Sequence, residues 1–172
     1  MKILITGGAG YLGSALTVGL LAAGHKVTVL DSFRWGVPSL AAWGGNELLD
    51  VRQCDIVREP GRLHRYLDEA DAVVHLAANV GAPLCDAEPE ATELLNYRAT
   101  ADIVAHLRPL QPLIFPCTNS GYGKGGAEAC TEDDLMRPLS LYGTTKVRAE
   151  AEVLRHPLGV SLRLATLYGP SP

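Results

Sequence analysis

Tyr142 and Lys146 are the first residues whose types and spacing could carry chemistry, because a tyrosine can take a proton and a lysine can tune it. Residues four apart on a helix lie on the same face, about one turn apart. A tyrosine pKa lies near ~10, and lowering it to ~7 requires about 4 kcal/mol. An ammonium at ~5 Å in an effective dielectric of ~20 supplies roughly 3 kcal/mol and leaves the balance to a further positive charge. The spacing is typical of a lysine-tuned tyrosine base; the alternative is a chance pattern on an exposed helix.

A glycine-rich turn, Thr6–Gly13, follows the first apolar run of the chain. It satisfies G-x-G-x-x-G through Gly8, Gly10 and Gly13, and G-x-x-G-x-x-G through Gly7, Gly10 and Gly13. Glycines allow backbone N–H groups and a helix N-terminus to approach a pyrophosphate, and they let the helix pack closely on the strand. A strand before the turn and a helix after it make a dinucleotide-binding site the favoured interpretation.

Asp31 lies at the end of the second apolar run, at the distance from the glycines where dinucleotide-binding folds place an acid. A carboxylate there accepts hydrogen bonds from an adenosine ribose and repels a 2′-phosphate, so NAD is favoured over NADP. Arg34 is near enough to pair with a phosphate, which leaves NADP open. Asp31 could instead cap a turn with Ser32, and Asp55 considered by itself is interpreted as a cap.

Alternating strand and helix patterns surround these residues. Short, mostly continuous apolar runs are typical of parallel strands covered on both faces. The predicted strands are Lys2–Thr6, Lys26–Asp31, Leu48–Cys54, Ala72–Leu76, Leu113–Phe115 and Val160–Leu164. The predicted helices are Tyr11–Ala23, Gly61–Ala70, Pro89–Leu107 and Thr144–Leu154, with loops at Arg34–Pro38 and Gly121–Gly126. This order predicts an α/β fold with a Rossmann-type doubly wound parallel sheet and helices on both faces.

The composition bounds the class of protein. The chain has 172 residues, of which 47% are hydrophobic and 20% charged, as in one ordinary globular domain. Its net charge of −4 argues against a nucleic-acid partner. No apolar run approaches the ~20 residues of a transmembrane helix, and the N-terminus lacks a signal-peptide pattern. The cysteines fit neither a zinc nor a disulfide pattern, so we expect a cytoplasmic protein with free thiols, no metal and no membrane partner.

Six motifs in order make the chain resemble the extended short-chain dehydrogenases/reductases. They are the glycine turn, Asp31, the segment His75–Ala78 (HLAA), Asn96, a threonine ending the fifth strand, and the Tyr142/Lys146 pair. The terminal LRLATLYGPSP adds to the likeness, which covers essentially the whole chain. More narrowly, the sequence resembles the NAD-dependent epimerase/dehydratase family, which acts on nucleotide sugars.

The resemblance implies a role for each matching residue. Tyr142 would be the catalytic base, Lys146 would hold the nicotinamide ribose, and Thr118, four residues before Tyr122-Gly123, would hydrogen-bond the substrate oxygen. The implied cofactor-binding residues are Gly7, Gly10, Tyr11, Leu12, Asp31, Ser32, Asp55, Ile56, Leu76, Ala77, Ala78, Asn96, Tyr142 and Lys146. His75 is interpreted as a buried, hydrogen-bonded histidine with no catalytic role.

The implied reaction is epimerisation of a nucleotide sugar through a transient keto-sugar, with NAD reduced and re-oxidised in one cycle and a homodimer as the working assembly. Asn119 and Ser120 follow Thr118 where the family's 4,6-dehydratases have Asp-Glu, so that activity is not expected. A decarboxylase or dehydrogenase of the same family and a non-catalytic NAD-binding or interaction domain stay open as alternatives. Family members are longer, so residues 1–172 are expected to form the NAD-binding domain and to lack essentially all of the C-terminal substrate lobe.

Overall fold

A single parallel sheet organises the chain, for which a computed structural model describes residues 1–36, 39–124 and 129–169. The strands are β1 (Lys2–Thr6), β2 (Lys26–Asp31), β3 (Leu49–Gln53), β4 (Ala72–His75), β5 (Leu113–Thr118) and β6 (Gly159–Leu164). They are parallel, in the order β3-β2-β1-β4-β5-β6. The predicted Rossmann-type fold is therefore confirmed, and the direction of winding reverses between β1 and β4.

Helices cover both faces of this sheet. They are α1 (Tyr11–Ala22), α2 (Pro60–Glu69), α3 (Ala82–Ala87), α4 (Pro89–Thr92), α5 (Ala99–His106) and α6 (Leu141–Val153), with a π-helical turn at Glu93–Arg98 that joins α4 to α5. One core cluster, which includes Leu63, Ile103, Phe115 and Val153, lies under α2, α5 and α6. The other contains Leu21 of α1 and apolar residues of β1 and β2. Within the described ranges, no helix is long and apolar enough to cross a membrane.

Several bounds differ from the sequence prediction, as at α6, which begins at Leu141 and not at Thr144. Two of the differences have a clear physical reason. The short helix α3 was not predicted, because six residues with Pro83 in the first turn are too few to show helical periodicity. The strand β5 continues past the predicted end at Phe115 and includes Pro116. The Leu113 N–H points toward β6, and successive N–H groups along a strand point to alternate sides. The N–H position of residue 116 therefore faces β4, but the pairing of β4 with β5 already ends at Ile114. The missing proline N–H therefore breaks no ladder hydrogen bond.

The carboxyl ends of β1, β4 and β5 bring the predicted site residues to one edge of the sheet. The glycine turn follows β1, the segment Leu76–Ala78 follows β4, and Thr118 ends β5. Open α/β sheets bind ligands at this edge, where the winding direction reverses. Parts of the predicted loops Arg34–Pro38 and Gly121–Gly126, and the last three residues of the terminal motif, lie outside the described residues.

Candidate active site

Gly7 and Gly13 are glycines because the protein itself leaves no space for a side chain. A Cβ on Gly13 would lie 2.5 Å from the Gly7 carbonyl oxygen and 2.6 Å from Gly8 Cα. Gly7 has a φ of 70°, and a Cβ there would lie 2.6 Å from the Ala77 nitrogen. These glycines let α1 and the segment after β4 pack directly on the turn, as the motif predicts.

Gly10 has a different reason to be glycine. It is exposed, its φ of −76° is open to any residue, and a Cβ there would approach only the Gly7 carbonyl oxygen, at 3.3 Å. It is also the N-cap of α1, which has no side-chain cap hydrogen bond and no acidic residue in its first turn. The first N–H groups of α1, at Tyr11 and Leu12, therefore face an open, electropositive position that fits a pyrophosphate.

Asp31 joins the end of β2 to the glycine turn. Its Oδ2 accepts a hydrogen bond from the Ala9 N–H at 3.0 Å, and its Oδ1 accepts one from the Phe33 N–H at 2.9 Å. Phe33 has a φ of 53°. The carboxylate thus caps the turn after β2, one of the roles considered for it. Each carboxylate oxygen has a second lone-pair position, so the geometry leaves room for a ribose hydroxyl as well.

Ser32, Asp55 and Ile56 follow the carboxyl ends of β2 and β3, the paired strands that Asp31 and Gln53 end. The Asp55 Oδ1 accepts hydrogen bonds from the N–H groups of Val57 and Arg58, at 3.0 and 3.2 Å. This agrees with the interpretation of Asp55 as a cap. Ile56 is buried and Ser32 is exposed, and contact of these residues with adenine or ribose stays a prediction.

His75 is a structural residue beneath the segment Leu76–Ala78. It is 1% exposed; its Nδ1 lies 2.6 Å from Thr6 Oγ1 and its Nε2 lies 3.0 Å from Thr100 Oγ1. The Thr100 hydroxyl donates to the Asn96 carbonyl, which assigns the ring proton to Nε2. Burial, with a smaller effect from Lys146, lowers the pKa of His75 to about 3. The neutral imidazole joins β1, β4 and α5, as expected of a buried, hydrogen-bonded histidine.

Asn96, predicted to contact the cofactor, uses its amide to hold the chain after β4. Its Oδ1 accepts from the Asn79 N–H at 2.8 Å, and its Nδ2 donates to the Asn79 carbonyl at 2.9 Å. The side chain is buried within the π-helical turn. The geometry favours a positioning role for Asn96, since both ends of its amide are engaged by main chain.

Tyr142 and Thr118 meet where the first turn of α6 crosses the end of β5. The Ser140 Oγ caps α6 by accepting from the Gly143 N–H at 3.1 Å, which fixes the start of the helix. The Thr118 Oγ1 accepts from the Ser120 N–H at 3.1 Å. Burial raises the pKa of the Tyr142 phenol above its ordinary value, and the nearby Thr118 side chain partly opposes that shift.

From the sequence, Lys146 and a further positive charge together were expected to lower the Tyr142 pKa, and in the protein by itself that pKa is raised. Lys146 is 3% exposed, and its Nζ lies 3.7 Å from the centre of the Phe115 ring. Burial lowers the pKa of Lys146 to about 8, so its charge is itself costly in this position. The ammonium faces an aromatic ring, and desolvation of the phenol outweighs any attraction to it.

Glu150, one helical turn after Lys146, forms an ion pair with Arg163. Neither residue was identified from the sequence. The Arg163 Nε donates to both carboxylate oxygens of Glu150, at 3.0 and 3.2 Å, and its Nη1 donates to Tyr122 Oη at 2.9 Å. The Tyr122 hydrogen bond and the Glu150 carboxylate raise the pKa of Arg163. The signal was present, because Tyr142, Lys146 and Glu150 lie four residues apart along one face of α6.

Among the described residues, no group of three or more His, Cys, Asp or Glu is placed to hold a metal ion. The glycine turn, the acid after β2 and the Thr/Tyr/Lys group at one edge of a parallel sheet define a dinucleotide-binding α/β protein of the short-chain dehydrogenase/reductase type. The sequence model of the NAD dependent epimerase/dehydratase family matches residues 3–172. The chain belongs to this family.

Known relatives carry several related activities. The UDP-glucose 4-epimerase of Corynebacterium glutamicum is 30% identical, and the match covers 97% of this chain and 50% of that protein. The UDP-N-acetyl-alpha-D-glucosaminuronate decarboxylase of Bacillus cytotoxicus is 32% identical over 86% of this chain and 44% of that protein. A crystal structure of UDP-glucuronic acid 4-epimerase from Bacillus cereus, in complex with UDP-glucuronic acid and NAD, superimposes with a TM-score of 0.87 at 30% identity, covering 99% of this chain and 58% of that one. The chain thus spans about half the length of the curated relatives it matches.

Proposed function

We propose that this chain is the NAD-binding and proton-transfer part of a nucleotide-sugar epimerase. The observation that carries the proposal is that Thr118, at the end of β5, and Tyr142 and Lys146, in the first two turns of α6, lie at the same sheet edge as the exposed Gly10. Cofactor binding alone gives no reason for a threonine hydroxyl beside the tyrosine. This hydroxyl favours an enzyme over a non-catalytic NAD-binding or interaction domain.

The cofactor would lie across the glycine turn. The N-terminus of α1 would bind the pyrophosphate, Asp31 would accept from the adenosine ribose, and Lys146 would donate to the nicotinamide ribose. When bound, NAD accepts a hydride from a sugar carbon and returns it. NAD is favoured over NADP because the Asp31 carboxylate would repel a 2′-phosphate.

Proton transfer would be the work of the protein's own side chains. The Thr118 hydroxyl would hydrogen-bond the reacting sugar oxygen while the phenolate of Tyr142 takes its proton. Because burial raises the pKa of Tyr142 in the protein alone, the phenolate needs additional positive charge at the moment of reaction. Lys146, whose pKa is about 8, remains mostly protonated at neutral pH and can supply part of that charge.

Epimerisation is favoured over the other activities of the family by the two residues after Thr118. Asn119 and Ser120 are exposed and carry no carboxyl group, so they cannot act as the acid/base pair of a dehydratase. The relatives include both epimerases and a decarboxylase, and decarboxylation or net oxidation is the second candidate. We also propose that residues 1–172 form one cofactor domain, that it acts in the cytoplasm as a homodimer, and that the sugar carrier is UDP.

The test is the transient oxidation of a sugar nucleotide. The protein, saturated with NAD, is mixed with UDP-glucose or UDP-glucuronic acid, NADH absorbance is followed, and the sugar products are identified by NMR. Tyr142→Phe should bind NAD as the wild type does and form at least ~100-fold less NADH, since general base catalysis contributes about 10²–10⁴-fold. The matched control, Tyr97→Phe, removes a hydroxyl from a half-buried tyrosine of the π-helical turn and should not change the rate. Equal NADH formation by Tyr142→Phe and the wild type would refute the assignment of the base.

A further inference from the structure

Arg34 and Glu88 form an ion pair between the segment after β2 and the segment after β4. The Arg34 Nη1 and Nη2 donate to the two carboxylate oxygens of Glu88, at 2.8 and 2.5 Å. Arg34 follows β2 and Glu88 lies between α3 and α4, after β4. Because β1 lies between β2 and β4 in the sheet, this contact spans the carboxyl end of β1, which the glycine turn follows.

The position of Arg34 gives this ion pair a consequence for cofactor choice. Arg34 lies just after Asp31, and Asp31 accepts from the Phe33 N–H next to it. An arginine close after the acid of the second strand is the residue that accommodates a 2′-phosphate in dinucleotide-binding folds. Here both terminal nitrogens of the Arg34 guanidinium already donate to the Glu88 carboxylate. This bidentate geometry suits a carboxylate and a phosphate alike, so Glu88 occupies the donors that a 2′-phosphate would need.

Other arginines at the adenosine end of the groove are compensated in the same way. A hollow beside Ser32 is lined by three of them. Their ion pairs are Arg52 with Asp50 at 2.8 Å, Arg58 with Asp55 at 3.5 Å, and Arg62 with Glu59 at 3.2 Å. The partners of each of these pairs are two or three residues apart in sequence. The Arg34–Glu88 pair joins separate segments, so one substitution can release its arginine without changing the local chain.

We propose that Glu88 is a cofactor-specificity residue, which withholds Arg34 from the 2′-phosphate of NADP. This inference rests on the proposed binding of NAD at the glycine turn and adds a second determinant to Asp31. Asp31 repels the phosphate directly, whereas Glu88 removes the cation that would compensate for that repulsion. Glu88 reaches the adenosine end from the far side of the turn, so its role cannot be read from the second strand and its acid alone.

The experiment measures Kd for NAD and for NADP by calorimetry in the wild type, Glu88→Gln, Arg34→Gln and the double variant. Glu88→Gln keeps the size of the side chain. The hydrogen bonds from the Glu88 N–H to the Leu84 carbonyl and from the Thr92 N–H to the Glu88 carbonyl are made by main-chain atoms, so the substitution leaves them in place. The released guanidinium should tighten NADP binding by about five- to tenfold, as expected of a partly exposed charge-assisted pair, and change NAD binding less than twofold. In the double variant the gain should disappear.

Glu93→Gln is the matched control, because Glu93 holds Arg148 through the same two-fold contact, at 2.7 and 3.0 Å, on a different part of the surface. It should leave both Kd values unchanged.

A gain in NADP affinity that persists in the double variant, or appears equally in Glu93→Gln, would overturn the proposal, because it would come from general loss of negative charge. Equal weakening of both nucleotides by Arg34→Gln would also overturn it, since Arg34 would then bind a phosphate common to both. Absence of NAD binding by the wild type would refute the proposed function as well, whereas NAD binding without an effect of Glu88→Gln would refute this inference alone. Thermal melts with each nucleotide confirm that every variant is folded.

Discussion

Comparing Gly10→Ala with Gly13→Ala tests whether Gly10 is required for ligand binding while Gly13 is required for the fold. The backbone at Gly10 (φ −76°, ψ −179°) is open to alanine, and the new Cβ would meet only the Gly7 carbonyl oxygen, at 3.3 Å. Alanine is a poorer N-cap than glycine, but it also restricts the unfolded chain, and the two effects are each below about 1 kcal/mol and opposite in sign. We therefore expect Gly10→Ala to change Tm by no more than a few degrees.

The same methyl group should interfere with NAD. It would point into the space in front of the α1 N-terminus, where a pyrophosphate must approach the main-chain N–H groups. Loss of one charge-assisted hydrogen bond costs about 1.5–3 kcal/mol, which corresponds to a Kd for NAD that is about 10- to 100-fold weaker.

Gly13→Ala should instead lower the stability of the fold. Its Cβ would lie 2.5–2.6 Å from the backbone of the turn, so α1 must move by about 1 Å to restore ordinary contact distances of about 3.4 Å or more. Overpacking of this kind costs about 1–3 kcal/mol, and each kcal/mol lowers Tm by roughly 2–4 °C in a domain of this size.

The assay pairs thermal melts with calorimetric titration of NAD at a temperature where both variants are folded. Gly10→Ala should melt like the wild type and bind poorly, whereas Gly13→Ala should melt early. If Gly10→Ala binds NAD within threefold of the wild type, the pyrophosphate does not lie against α1 and the interpretation of the turn is wrong. If Gly13→Ala melts like the wild type, the steric argument for that glycine is wrong.

Three further predictions concern the buried titratable residues. Burial lowers the pKa of Lys146 from 10.5 to about 8, so the unfolded chain binds more protons between these pH values and the free energy of unfolding should rise with pH there. Lys146→Met should remove this rise and increase the free energy of unfolding by up to about 3 kcal/mol at pH 7, measured by urea unfolding. An unchanged pH slope would contradict the prediction. The pKa of His75 falls from 6.5 to about 3, so stability should decrease by about 2 kcal/mol between pH 6.5 and 5; His75→Gln should have a flatter profile, and equal profiles would exclude His75 as the cause. Glu150→Gln leaves Arg163 with a weaker partner and should cost about 2 kcal/mol in urea unfolding, against less than about 1 kcal/mol for Glu93→Gln at an exposed pair; equal costs would contradict the argument from burial.

The sequence predicts the sheet well because its strands are short, apolar and separated by clear helical segments. Lys2–Thr6 and Lys26–Asp31 are predicted with their observed bounds, and the helix at the glycine turn differs by one residue. Periodicity over a few residues carries too little information to identify α3, and a π-helical turn within Pro89–His106 has the composition of ordinary helix. Such features depend on packing, as when the buried Asn96 of the π-helical turn holds Asn79.

The candidate site is predicted where it depends on local spacing and is missed where it depends on contacts between distant segments. The i, i+4 relation of Tyr142 and Lys146 follows from helix geometry. The partner of Arg34 is 54 residues away in sequence and becomes its neighbour only through the strand order. The direction of the Tyr142 pKa could not be predicted either, because it depends on how deeply the phenol is buried.

Arg163 explains how Lys146 remains available for the proposed chemistry. Tyr142, Lys146 and Glu150 form one stripe on α6, and a lysine four residues before a glutamate would ordinarily pair with it. Here the Glu150 carboxylate accepts instead from Arg163 and from the Ser161 hydroxyl, at 2.7–3.2 Å. The Lys146 ammonium lies over the Phe115 ring, which stabilises a cation without neutralising it. Under the proposed function, this half-buried arginine would leave the Lys146 charge uncompensated, since it engages the carboxylate that would otherwise pair with the ammonium.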